Sequence, residues 1–139
     1  MSFREKSIWV TFTLLVIAFV VYFGSLAFDA QRALGFSNGG TLFLALVLFV
    51  IVVEIVSHIV MGFRSHKDAG TPKDERERLI ELRALRPAYY VMIVGLFMPG
   101  ILSMPAPTRQ QIAHGALFVF WTTELVRYGA QLVGYRRGV

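Results

Sequence analysis

This 139-residue chain contains four ionisable residues inside long apolar stretches whose types and spacing suit ligand binding or proton transfer. Glu54 and His58 are four positions apart, and Glu124 and Arg127 are three apart, so on a helix each pair shares one face. An ionisable group near the middle of a membrane-spanning helix costs about 2.5–3.5 kcal/mol on insertion scales, so each needs a compensating partner. The two pairs are therefore the first candidates for a binding or proton site.

Both pairs are predicted to lie at a similar depth. Glu54 follows Gly40, and Glu124 follows Gln111, by a distance of about 20 Å along a helix at 1.5 Å per residue. If the second and fourth helices pack together, the two pairs meet in the same half of a membrane. Four hydroxyl side chains lie at suitable depths to join them: Thr11, Thr13, Tyr89 and Tyr90.

Three interpretations of these residues remain open at this point. In the first, Arg127 neutralises the glutamates and fixes helix register. In the second, the residues form a binding site or proton pathway for a small anion, a lipid headgroup or a proton. In the third, Glu54, His58 and Glu124 bind a metal, because Glu-x-x-x-His places two ligands on one helical face; Arg127 would repel that cation, so no metal is expected.

Catalytic and cofactor motifs give no further candidates. We find no phosphate loop, G-x-S-x-G, H-E-x-x-H or dinucleotide glycine pattern, and the absence of cysteine excludes thiolate chemistry. A bis-histidine haem would need His58 and His114, which lie roughly 20 Å apart in depth. The sequence therefore predicts a non-enzymatic protein with no catalytic residue and no cofactor.

Hydropathy indicates which elements position the polar residues. Hydrophobic residues make up 55% of the chain, the mean hydropathy is +0.59, and the apolar residues are bunched rather than periodic. We predict an all-α integral membrane protein, a single membrane domain over residues 1–139 whose four transmembrane helices form a bundle. Their predicted bounds are 8–28, 41–63, 88–103 and 112–135.

The first apolar stretch has a second interpretation. Residues 8–28 contain no charged residue and are long enough to cross about 30 Å. A signal peptide cut after Ser25-Leu26-Ala27 is the alternative, but its apolar core would exceed the usual length of about 7–15 residues. Retention as the first transmembrane helix is therefore favoured.

Residues 64–87 form a charged connector with seven basic and five acidic residues up to Arg86. Thr71 is the predicted N-cap and Pro72 the first helical position of an amphipathic, cytoplasmic extension of the third helix. Leucines at helical spacing line one side of it, with Ile80 beside them: Leu79, Leu82 and Leu85. Pro87 predicts a bend before the membrane span.

The basic residues set the orientation. An even number of spans places both termini and the connector on one side, which then holds eleven lysines and arginines, whereas the other side has only Arg32 and Arg109. Basic residues concentrate on the cytoplasmic side of membrane proteins. We therefore predict a multi-pass protein of the bacterial inner membrane with both termini in the cytoplasm.

The connector is also the predicted surface for a partner. Although the net charge is +5, the basic residues flank the apolar stretches as membrane topology requires, so nucleic acid is not an expected partner. The lipid bilayer, a membrane or cytoplasmic protein, and a second copy packed through small residues such as Gly24 or Ala130 are the expected ones. The candidate partner surface comprises Asp74, Glu75, Arg76, Arg78, Tyr89 and Tyr90.

Two segments carry a family resemblance. The run from Asp74 to Glu81, followed by Ala88-Tyr89-Tyr90-Val91, and the ending Tyr135-Arg136-Arg137-Gly138 resemble a group of small bacterial four-helix membrane proteins of unknown function, akin to the DUF2178 family. The resemblance implies an inner-membrane location and assigns no activity. The expected function is accordingly that of a partner, regulator or accessory subunit acting through the connector, with the intramembrane binding site as the alternative.

Overall fold

The computed structural model describes residues 3–30, 35, 38–64, 74–101 and 108–137, and all the regular secondary structure among them is α-helical. The all-α, four-helix prediction is confirmed. The helices are α1 (Phe3–Ala27), α2 (Gly39–Arg64), α3 (Glu75–Ile101) and α4 (Arg109–Arg137). They divide into two compact units, residues 1–72 with α1 and α2 and residues 73–139 with α3 and α4.

In the first unit, α1 and α2 form an antiparallel hairpin. Ser7 near the start of α1 contacts His58 near the end of α2, and the ring of Tyr22 lies 5.8 Å from that of Phe43 at the other end. Both contacts fit one antiparallel register of α1 against α2, and in that register Thr11 lies level with Glu54. The buried residues of α1 recur every three or four positions and form one face: Thr11, Leu14, Ala18, Tyr22 and Ser25.

In the second unit, α3 and α4 pack closely through small residues. A methyl group added at Gly95 would lie 2.8 Å from Val119, and one added at Gly134 would lie 2.8 Å from Ile80. Both approaches have the same antiparallel register. Ala84 and Ala88 are also buried on α3, so this hairpin resembles the small-residue helix contacts of membrane proteins.

Two of the described helices begin at reciprocal caps. At α2, the Thr41 N–H donates to Asn38 Oδ1 over 3.0 Å, and the Asn38 N–H donates to Thr41 Oγ1 over 3.3 Å. At α4, the Thr108 N–H donates to Gln111 Oε1 over 2.9 Å, and the Gln111 N–H donates to Thr108 Oγ1 over 3.3 Å. These pairs occupy the N-cap and third helical positions, as in a capping box.

The third helix begins after Asp74, whose N–H donates to Glu77 Oε2 over 3.4 Å. The predicted N-cap Thr71 and the predicted first helical residue Pro72 lie outside the described residues. The helix then continues through Pro87 to Ile101, so residues 75–87 of the charged connector and the following apolar stretch belong to one element. Within it, Ile80 faces α4 and is buried, whereas three leucines beside it are 43–54% exposed: Leu79, Leu82 and Leu85.

Two of the described helices are long and apolar enough to cross a membrane. They cover Arg4–Ala27 and Gly39–Val60, whose most apolar 18-residue stretches have mean hydropathies of 2.3 and 2.8. The most apolar 18-residue stretch of Gly39–Val60 contains no buried residue. By composition alone, a membrane span, a signal sequence near the N-terminus and a core helix of a soluble protein all meet this criterion.

Candidate functional site

The ion pair predicted on the fourth helix is present. Arg127 Nη2 lies 2.6 Å from Glu124 Oε2, and the two side chains are 30% and 22% exposed. The Arg127 guanidinium also lies over the ring of Tyr128, 4.7 Å from its centroid, within the range of a cation–π contact. Glu124 thus occupies one edge of the guanidinium, and Tyr128 lies against its face.

One donor of Arg127 remains unused. Its Nε is buried and has no hydrogen-bond partner among the described residues. A buried donor without a partner costs about 1–3 kcal/mol, and more when the group is charged, so such atoms call for a ligand, an ion or water. Arg127 therefore has hydrogen-bonding capacity beyond its ion pair with Glu124.

Beside this ion pair, α3 and α4 enclose a groove with a volume of about 470 Å³. Its lining is mostly apolar, with charged side chains from both helices: Leu85, Arg86, Ala88, Tyr89, Met92, Thr123, Glu124 and Arg127. The volume is in the range of small-molecule sites, about 300–1,000 Å³. The groove is therefore large enough to hold a ligand or part of one.

The charged and apolar parts of the groove lie at different heights. The hairpin register places Arg86 and Arg127 at one level, while Met92 is about 9 Å further along α3 at 1.5 Å per residue. Near that apolar end, the Thr123 hydroxyl donates to the Val119 carbonyl over 2.8 Å, so its proton is already used. The groove consequently has a cationic end at the two arginines and an apolar end at Met92, with Glu124 and Thr123 on α4 between them.

In the first hairpin, the other predicted pair is linked through the backbone. His58 Nδ1 lies 2.8 Å from the carbonyl oxygen of Glu54, and His58 Nε2 lies 2.7 Å from Ser7 Oγ. Since a carbonyl only accepts, Nδ1 carries a proton and donates. In the neutral imidazole, Nε2 then accepts from the Ser7 hydroxyl, so the contact ties α1 to α2 and selects one tautomer.

The two pairs thus belong to different hairpins. Glu124 and Arg127 contact each other directly, whereas the His58 ring contacts the Glu54 backbone rather than its carboxylate. The meeting of both pairs in one cluster stays a prediction. Within each hairpin, the described residues bring no three His, Asp or Glu side chains together as metal ligands, and the metal alternative, which needs both hairpins, also stays a prediction.

The predicted partner surface is exposed at the start of α3. Asp74, Glu75, Arg76 and Arg78 are all exposed, and Tyr89 and Tyr90 are exposed further along the helix. The tyrosine rings lie 6.2 Å apart at an angle of 61°. Tyr89 contributes to the groove as well, so the partner surface and the candidate site share one side chain.

Sequence reasoning missed several residues of these sites. Arg86 and Met92 line the groove only because the α3–α4 register brings them beside Glu124 and Arg127. Ser7 contacts His58 for the corresponding reason in the first hairpin. No local pattern marks these residues, since the pairing register of two helices is not visible in either helix alone.

The fold and the groove define the chain as an all-α protein of two helical hairpins with a candidate ligand site in the second. No family model, curated protein or solved structure matches this chain. The likeness to small four-helix membrane proteins therefore stays a prediction.

Proposed function

We propose that the chain is a small multi-pass protein of the bacterial inner membrane, with all four helices crossing the bilayer and both termini in the cytoplasm. The exposure of α2 supports this. Its large apolar side chains face outwards around the helix, and leaving such surface in water costs about 25 cal/mol per Å². Lipid around α2 would remove that cost.

The charges of α3 and α4 are compatible with the same location. In α3 they are concentrated in residues 75–86, ahead of the apolar part of the helix. In α4, Glu124 and Arg127 form an ion pair, and Arg136 and Arg137 follow at the end. Charges that form ion pairs and basic residues at the cytoplasmic end are typical of membrane helices.

In that membrane the protein acts as a non-enzymatic partner, regulator or accessory subunit. The observation that carries this function is the exposed start of α3, which is a capped helix rather than an irregular loop. It presents charged side chains next to three exposed leucines. A helix with an apolar stripe beside a charged one suits docking against another helix.

Charge reversal tests this function. The triple variant Glu75→Lys, Arg76→Glu, Arg78→Glu is expected to lose the proteins that cross-link to the native chain in intact membranes, as measured by quantitative mass spectrometry. The matched control reverses Arg136 and Arg137, which are exposed and cytoplasmic in the same topology. An unchanged set of cross-linked proteins in the triple variant would contradict the proposal.

A second function is binding of a small anion, a lipid headgroup or a proton. The groove beside the Glu124–Arg127 ion pair favours it, because that ion pair leaves a buried Arg127 donor unused. Glu124→Gln is expected to change ligand binding or the pH response while the helical content stays near its native value. Glu54→Gln tests whether the first hairpin takes part, and loss of folding in both variants would favour a structural network instead.

A further inference from the structure

We propose that the groove between α3 and α4 binds one anionic phospholipid, with the phosphate at Arg86 and Arg127 and one acyl chain along Tyr89 and Met92. This inference rests on the proposed membrane location and names the ligand class for the second function. The argument uses the charge of the groove, its change of polarity with height, and its level in the membrane.

The charge of the groove favours an anion. Its lining contains two arginines and one glutamate, which leaves one net positive charge. Glu124 contacts Arg127 Nη2, and the Arg127 side chain is 30% exposed and lines the groove. Arg86 is exposed at the same level on the facing helix. A phosphate between them would accept from both guanidinium groups, which bind phosphate through several N–H donors.

The change of polarity with height favours an amphiphile over a free anion. Beyond the arginines, the groove continues along Ala88, Tyr89 and Met92, where it offers apolar surface. Tyr89 is 57% exposed and Met92 is 37% exposed, so this part is open along its side. A small soluble anion would leave that surface in contact with water, whereas an acyl chain would cover it.

The level of the arginines matches a lipid headgroup. Arg127 lies about 27 Å from Arg109 along α4 at 1.5 Å per residue, close to the hydrocarbon thickness of about 30 Å. With Arg109 at the outer surface, Arg86 and Arg127 reach the headgroups of the cytoplasmic leaflet. The apolar end of the groove then lies deeper, among the acyl chains of that leaflet.

The experiment uses the full chain, purified in a mild detergent, and native mass spectrometry. Phosphatidylglycerol and phosphatidylcholine with identical acyl chains are added in equal amounts. We expect preferential retention of phosphatidylglycerol, reduced about fivefold by Arg86→Gln and by Arg127→Gln, since a basic residue near the surface contributes about that factor. Arg83→Gln, an exposed arginine of α3 outside the groove, is the matched control and should retain the native preference.

Two further arms separate the alternatives. Met92→Trp, which fills the apolar end, should lower retention of both lipids and leave the charge preference intact. Glycerol 1-phosphate, the water-soluble headgroup, should not compete; full competition by it would overturn the lipid assignment while leaving an anion site in place.

Equal retention of the two lipids, or undiminished phosphatidylglycerol binding by Arg86→Gln, would overturn the proposal outright. Arg86 is exposed, so we expect its variant to keep the native fold, which circular dichroism checks. Recovery of the native chain in the soluble fraction would instead overturn the membrane location on which both functions depend.

Discussion

At the residue scale, Gly134 shows how closely α3 and α4 approach. A Cβ at this position would lie 2.8 Å from Ile80 Cγ2, and Ile80 is β-branched and buried, so it yields little. Gly115 in the same helix has open space around its added Cβ. The two glycines therefore offer the same substitution in two different environments.

We expect Gly115→Ala to raise the free energy of unfolding by up to about 1 kcal/mol, the helix-propensity gain of alanine over glycine. The free energy of unfolding of Gly134→Ala should be about 1–3 kcal/mol lower than that of Gly115→Ala, because overpacking a close contact offsets the propensity gain. Chemical denaturation in detergent, monitored by circular dichroism, measures both free energies of unfolding. Gly134→Ala should cost less stability when it is introduced into the Ile80→Ala variant than when it is introduced into the native chain. Equal costs in the two backgrounds would contradict the close contact.

The environment of Arg127 gives a second prediction at this scale. An exposed ion pair within one helix contributes about 0.3–0.5 kcal/mol. Because Arg127 Nε is buried, we expect the coupling energy between Glu124 and Arg127 to exceed about 1 kcal/mol. A double-mutant cycle of Glu124→Gln and Arg127→Gln measures it by denaturation in detergent, and a coupling at the exposed-pair value would show that water screens the pair.

At the element scale, the reciprocal caps decide where the helices begin. Thr108 and Gln111 satisfy each other's N–H groups ahead of α4, and Asn38 and Thr41 do the same ahead of α2. The Thr-x-x-Gln spacing was available in the sequence, yet hydropathy alone placed the fourth helix from residue 112, three residues later than its observed start at Arg109. Hydropathy detects the apolar part of a helix and not its polar first turn.

Removing the α4 cap should fray its first turn. Thr108→Ala is expected to lower helix stability by about 1 kcal/mol, within the range of about 0.5–2 kcal/mol for N-cap residues. Hydrogen exchange of the amides from Arg109 to Ile112 should accelerate roughly fivefold. Thr108→Ser keeps the hydroxyl and should exchange at the native rate; equal exchange in both variants would show that the cap contributes nothing.

The third helix shows what a local pattern leaves open. Helical spacing indicated an amphipathic stretch with Leu79, Leu82 and Leu85 on one side and Ile80 beside them, and the structure buries Ile80 against Gly134 instead. Ile80 shares its face with Ala84 and Ala88, the small residues that let α4 approach. Close packing selected the side with the alanines, which leaves Leu79 and Leu82 exposed and Leu85 at the groove.

At the scale of the whole molecule, the absence of cysteine makes the proposed topology testable by single-cysteine labelling. We expect Phe28→Cys and Arg109→Cys to react with a membrane-impermeant maleimide in spheroplasts. Lys6→Cys, Arg83→Cys and Arg137→Cys should react only after permeabilisation, because eleven basic residues hold that side in the cytoplasm. Equal labelling of all five before permeabilisation would contradict the topology.

The register between α3 and α4 also bears on the depth of the polar residues in the proposed membrane. The charged residues 75–86 of α3 run alongside the last turns of α4, so both helices extend past the level of Arg86 and Arg127 together. Sequence alone placed the end of the fourth span near Tyr135. In the proposed topology, with Arg109 at the outer surface, we expect the ion pair to lie toward the cytoplasmic boundary of the membrane.

Local patterns in the sequence predicted the four helices and the concentration of charge at the start of α3, and they placed Glu124 and Arg127 on one helix face. These features depend on residues close together in the chain, where hydropathy and helical spacing are sufficient. The contact of Ser7 with His58, and the groove that Arg86 and Met92 line with Glu124 and Arg127, became visible in the three-dimensional packing alone. Those contacts depend on the register between antiparallel helices, which is set by the close approach of small side chains across the contact.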